Sequence, residues 1–150
     1  VGRRVDYALR AVCYIAAQPS EQLVPRAEIQ AHQDIPQHFL SKILREMVEA
    51  GLLRSVPGVK GGFRLGRPAA EISVRMVYES VEGPLSLIEC VDQGERFCCF
   101  ASVCTQLTIW SGAQQVLSDY LDGIRISDIA DQKGLVARLR EHGSGHEVLT

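Results

Sequence analysis

Residues 35–65 read IPQHFLSKILREMVEAGLLRSVPGVKGGFRL, and this stretch decides the fold. Phe39, Leu40, Ile43, Leu44, Met47 and Val48 recur at steps of three and four, which predicts a helix with one apolar side. Gln37, His38, Ser41, Lys42 and Arg45 fall on its start and its solvent side. Gly51 supplies a C-cap. Leu52 to Val56 and Gly62 to Leu65 then read as two short strands, joined by the turn Pro57-Gly58-Val59-Lys60-Gly61, whose residues tolerate unusual backbone angles. A basic-faced helix running straight into a hairpin is the second half of a winged helix-turn-helix.

The flanking sequence supplies the other half. Val5, Ala8, Leu9, Val12, Ile15 and Ala16 predict an amphipathic helix over 3–17, stopped by Pro19. Pro25 suits a first helical position, and Ala27, Ile29 and Ala31 carry a second helix to about His32. The Asp34-Ile35-Pro36 turn leads into the third. Ser73 can cap a fourth helix through about Val81, broken by Glu82-Gly83-Pro84. Farther on, Leu107, Trp110, Gln114, Leu117, Leu121 and Ile124 form a narrow stripe, a seam suited to a partner helix, in which Gln114 can set register. Residues 126–130 suggest a closing turn.

The expectation is a mainly α fold with a small β-hairpin wing and a long C-terminal dimerisation helix. Its parts are a winged-helix DNA-binding domain over 1–82, a cysteine loop over 83–105, the dimerisation helix and closing turn over 106–132, and a flexible tail over 133–150.

Charge supports the same reading. The net charge is −2, yet from Gln37 to Arg67 six cations (Lys42, Arg45, Arg54, Lys60, Arg64, Arg67) stand against Glu46 and Glu49, which is locally +4. Such asymmetry is the footprint of a phosphate-binding face. Gln37, His38, Ser41, Lys42 and Arg45 are the candidates for base edges in a major groove, while Arg54, Lys60, Gly61 and Arg64 are candidates for phosphate or minor-groove contact. The expected partner is a double-stranded operator, an imperfect palindrome matching the two-fold axis of a homodimer. The sequence contains no Ser-His-Asp or paired-carboxylate constellation and no phosphate-binding glycine loop, so an enzyme is not expected. No apolar run approaches the roughly 18 residues needed to cross a bilayer, and a cytoplasmic location is expected.

Five cysteines, Cys13, Cys90, Cys98, Cys99 and Cys104, include four within fifteen positions. Cys90, Cys98 and Cys104 form C-x7-C-x5-C, too widely spaced for a zinc knuckle, and no His lies between His38 and His142 to complete a local zinc site. Thiolates in this pattern suit an iron-sulfur cluster. Two other readings stay open: a metal-free regulator in which Cys98 and Cys99 oxidise, and an iron-sulfur electron carrier, which would leave the basic helix and hairpin unexplained.

The motifs Asp6-Tyr7-Ala8-Leu9-Arg10, Ile35-Pro36, Phe39-Leu40-Ser41-Lys42-Ile43-Leu44, Ala50-Gly51-Leu52-Leu53 and Gly61-Gly62-Phe63-Arg64-Leu65, with the three cysteines, occur in that order. Over about residues 1 to 132 they resemble the Rrf-two family of bacterial transcription regulators, with its IscR-like, NsrR-like and CymR-like members. The resemblance implies a homodimeric winged helix whose cluster-binding members ligate iron through three cysteines before the long helix. The expectation for this chain is a repressor sensing redox state, nitric oxide or iron-sulfur status through a labile cluster of 2Fe-2S or 4Fe-4S type. The resemblance gives the ligand roles to Cys90, Cys98 and Cys104, Cys98 being favoured by the x5 spacing to Cys104, with Cys99 an extra thiol through which C-x8-C-x4-C stays open. IscR-like members take a fourth ligand from a His three residues after the last cysteine, where this chain has Leu107. NsrR-like members use an Asp of the first helix, whose counterpart is Asp6, so the ligand set resembles theirs. Pro57 stands where many members carry a wing-tip Arg, and Lys60 is the available substitute. Ser41 replaces a specificity-modulating Glu of the IscR-like members.

Overall fold

A computed structural model of the chain describes residues 2–87, 104–130 and 139–141. Helix α1 spans Arg3–Ala17 and buries Val5, Ala8, Ala11, Val12 and Ile15 along one side. Helix α2, Arg26–Gln33, begins just after Pro25, which acts as its N-cap, and ends at Asp34 in the left-handed region, φ 50°. Helix α3, Gln37–Glu49, buries Leu40, Ile43, Leu44 and Met47. Its end is a paired-bond cap, with the Gly51 N–H donating to the Val48 carbonyl and the Leu52 N–H to the Met47 carbonyl, both at 3.0 Å. Gly51 has φ 78°, a conformation open to glycine at little cost.

Strands β1, Leu53–Val56, and β2, Gly62–Leu65, pair antiparallel with Leu53 opposite Leu65, Arg54 opposite Arg64 and Ser55 opposite Phe63. A third rung was not legible in the sequence. Val24, between α1 and α2, exchanges backbone bonds with Phe63 at 2.8 and 2.9 Å. That close approach is why residue 62 is glycine, since a Cβ there would lie 2.7 Å from the Val24 carbonyl.

After a 3-10 turn at Ala69–Glu71 comes α4, Val74–Glu82, capped by the Ser73 hydroxyl, which accepts from the Met76 N–H at 3.1 Å. Helix α5 spans Thr105–Asp122 and α6 spans Ile126–Ala130. Between the last two, the chain rejoins the first domain: the Val74 N–H donates to the Ile124 carbonyl and the Ile126 N–H to the Ile72 carbonyl, at 2.9 and 2.8 Å. Ile126 is thereby buried in the same core as α1, α3 and α4. Ile124 lies in this paired segment, beyond the end of α5.

Only Ser118 of α5 is buried within the single chain. Leu107, Gln114, Leu117 and Leu121 are half-buried on the side facing the domain, where the Leu87 N–H donates to Gln114 Oε1 at 3.0 Å and the Ser73 hydroxyl to Asp122 Oδ1 at 3.1 Å. Ile109, Val116 and Tyr120 lie on another side, 65%, 70% and 50% exposed, while Trp110, 40% exposed, falls by helical period within the stripe of Leu107, Gln114, Leu117 and Leu121. No helix among the described residues is long and apolar enough to cross a membrane.

Candidate nucleic-acid interface and cysteine loop

The apolar stripe of α3 points into the core, which turns Gln37, His38, Lys42 and Arg45 outward, all exposed, with Ser41 half-buried among them. One anion of this helix is withdrawn from that surface. Glu46 accepts both bonds of a paired contact from the Arg4 guanidinium on α1, so its charge is neutralised at the helix junction. The reading face is more positive than a count along the sequence implies.

His38 packs on Phe39 at 4.4 Å between ring centroids, and Phe39 on Tyr7 of α1 at 5.4 Å. These contacts anchor the first turn of α3 on α1. Arg26, at the start of α2, donates to the Ser41 hydroxyl oxygen at 3.1 Å, tying the two helices of the turn motif together. Arg26 was absent from the candidates read from the sequence. Its only signal there was a cation opening the second helix, and its placement beside Ser41 is a tertiary fact.

Arg26 and Gln37 line a groove of about 460 Å³ with Pro25, Ser55, Pro57 and Phe63. The groove runs between the start of α3 and the hairpin tip, so the tip and the reading helix share one side of the molecule. Lys60 and Gly61 are on that tip. Arg54 and Arg64 take the alternate side of the hairpin, where Arg64 pairs with Glu21 at 3.0 Å. The structure therefore brings seven of the nine nucleic-acid candidates to the tip-and-helix side and leaves these two behind it.

Asp6 is half-exposed on α1 and pairs with Arg10 one turn on at 2.7 Å, and the Arg10 guanidinium lies over the Tyr7 ring, 5.8 Å from its centroid. Cys104 is half-buried at the N-cap of α5. There it adjoins the unpaired N–H groups of a helix start, which stabilise negative charge such as that of a metal-bound thiolate. Cys90, Cys98 and Cys99 lie outside the described residues. Among the described residues no three metal-ligating side chains converge. Cys13 is half-buried on α1, and desolvation pushes its thiol above the ordinary range, the setting of an inert packing cysteine.

Comparison with known proteins agrees with this geometry. The family model Rrf2, described as iron-dependent transcriptional regulator, matches residues 1–132. The chain belongs to the Rrf2 family. Its relatives include the HTH-type transcriptional regulator IscR of Aliivibrio salmonicida (strain LFI1238), 32% identical over 123 residues, which are 82% of this chain and 72% of that protein. Among solved Rrf2-like structures, IscR of T. potens aligns with a TM-score of 0.68 at 22% identity, over 89% of this chain and 87% of that one. CymR of Staphylococcus aureus aligns with a TM-score of 0.67 at 26% identity, over 86% and 96%. As a member of the Rrf2 family the chain is a DNA-binding transcriptional regulator of winged-helix fold, and not an enzyme.

Proposed function

We propose that the protein is a homodimeric, cytoplasmic repressor that reads an imperfectly palindromic operator and responds to redox state, nitric oxide or iron-sulfur status. The observation that carries the DNA half is the shared side of α3 and the hairpin tip. Gln37, His38, Ser41, Lys42 and Arg45 meet base edges and adjacent phosphates, Arg26 holds Ser41 in place, and Lys60 and Gly61 meet the neighbouring minor groove. The exposed sides of α5 face the second copy. Ile109, Val116 and Tyr120 form the most exposed part of that contact, the outer edge of the Leu107, Trp110, Gln114, Leu117 and Leu121 stripe borders it, and Ile124 adjoins it beyond the helix end.

The responsive group in this reading is an iron-sulfur cluster held by Cys90, Cys98 and Cys104, with Asp6 as fourth ligand. The donor set fits such a group: three soft thiolates, one of them at a helix start, and a carboxylate accessible on the surface of α1. When bound, the cluster would supply reactivity toward oxidants and nitric oxide, because a hard carboxylate holds iron-sulfur loosely. Within the chain, Asp6 must exchange Arg10 for that ligand role, and α1 carries the exchange to α3 through Tyr7 and Phe39.

Anaerobic purification with iron and sulfide analysis tests this reading, followed by operator binding of loaded and stripped protein. The expected result is a coloured protein whose operator affinity falls when iron is removed, and an Asp6→Ala variant that keeps its dimer but loses the cluster faster. Colourless protein after anaerobic reconstitution would discard the cluster in favour of the thiol-based alternative.

A further inference from the structure

The hairpin has a second side, which the DNA-reading arrangement does not use. Ser55 and Phe63 line the groove beside Gln37. The alternating residues Arg54 and Arg64 line a separate cleft of about 590 Å³, walled by the end of α1, the turn after it and the segment following β2. Arg67 is a third cation in that lining.

Arg54 and Arg64 are directly opposite in the strand register. Phe63 spends both backbone groups on Val24, so Arg64 turns its own toward β1. The arginine pair is then a hydrogen-bonded one, with Cα atoms about 5.5 Å apart. Like charges so placed destabilise a hairpin unless an anion lies between them. The carboxylate present is Glu21, which is 87% exposed and therefore a weak, solvent-screened partner of Arg64. Among the described residues, Arg54 and Arg67 have no ion-pair partner. The carbonyl end of α1, which has no basic residue in its last turn, offsets roughly half a charge. Three guanidiniums against Glu21 and that helix end leave a surplus above one positive charge.

We propose that this cleft binds a phosphate-bearing small molecule of up to nucleotide size. Guanidinium groups match phosphate oxygens two at a time, and three around one cleft suit a phosphate or diphosphate better than a single carboxylate. Ile15, Leu65 and Pro68 in the same lining give the uncharged part of such a ligand an apolar wall. The volume is that of small-molecule sites. Glu21 holds the place of the anion and swings into water when the ligand arrives. The occupant joins the end of α1 to the base of the hairpin, so it acts on the wing without touching the reading face.

Isothermal titration of the full chain with inorganic pyrophosphate, in about 0.1 M salt, tests the site. Saturable binding at one site per chain is expected, weakened about tenfold or more in the Arg54→Gln, Arg64→Gln double variant. Glu21→Gln should tighten it by removing the competing carboxylate, and Arg75→Gln, outside the cleft, should leave it unchanged. The double variant relieves the repulsion across the hairpin, so its thermal midpoint should stay level or rise. Absence of saturable heat, or equal weakening by Arg75→Gln, overturns the proposal. A second arm identifies the source of phosphate, by measuring how duplex affinity falls with salt. If the double variant flattens that slope while pyrophosphate is not bound, the arginines grip the DNA backbone and the small-molecule site is overturned.

Discussion

Glu46 shapes the charge of the proposed DNA-reading surface, although it does not belong to it. With the Glu46 carboxylate held by Arg4, Glu49 is the one exposed anion left on α3 beside Lys42 and Arg45, and each of these cations is exposed on the face opposite the α3 core stripe. Lys42→Ala should therefore weaken duplex binding across sequences and lower the slope of log affinity against log salt by about one unit. Mobility-shift titrations at several salt concentrations measure that slope; an unaltered slope would place phosphate contact elsewhere on the chain. At this scale much was legible. Spacing alone put Gln37, His38, Ser41, Lys42 and Arg45 together, because a helical period determines which residues share a face. It could not pair Glu46 with Arg4, forty-two positions away, nor bring Arg26 to Ser41, since both depend on how helices cross. The hairpin residues Arg54 and Arg64 show the same limit: period two puts them on one side of the strands, but only the fold says which side faces α3.

Among the elements, α4 is held by one hydroxyl doing two jobs. Ser73 is fully buried, accepts from the Met76 N–H and donates to Asp122 Oδ1, so it starts α4 and clasps the end of α5 together. Ser73→Ala should cost about 1–2 kcal/mol for the lost cap, with a further penalty for the stranded Asp122 acceptor. The thermal midpoint should fall by about 2–4 °C per kcal/mol, read by circular dichroism. A midpoint within 1 °C of wild type, on that same roughly 2–4 °C scale, would show that water replaces both bonds. The cap itself was readable, as serine before an apolar run. Its second bond was not, nor was the bridge between Val24 and Phe63, because a single paired residue leaves no periodic trace. Helix ends were read closely where a Gly or Pro marked them, at Gly51 and Gly83. The apolar stripe overruns the end of α5, since Ile124 keeps its spacing while its backbone already pairs with Val74.

For the molecule as a whole, the proposed dimer makes α5 the element to test. Val116 and Tyr120 are 70% and 50% exposed in the single chain, so changing them leaves the monomer core intact. A Val116→Glu, Tyr120→Glu variant should sediment with half the mass of the wild type while keeping its helical spectrum. A variant that remains dimeric would move the contact to another side of α5. The sequence shows one stripe on this helix, and the fold separates two sides: Gln114, Ser118 and Asp122 face the domain, while Ile109, Val116 and Tyr120 are exposed. Two overlapping apolar sides blur into one in a periodicity count, and burial separates them.

The two side-chain joints on α5 also make it an overhanging beam. Gln114 and Asp122 are its supports, about 12 Å apart along the axis, and the ten residues back to Cys104 project roughly 15 Å past the nearer one. From Thr105 to Ala113 that projection is exposed apart from half-buried Leu107. A sideways load at the Cys104 tip must therefore reach the two supports with opposite sign, drawing one apart as it compresses the other. The domain receives it as a torque about α4, and a tilt of five degrees at the supports carries the tip a little over 1 Å on that roughly 15 Å arm.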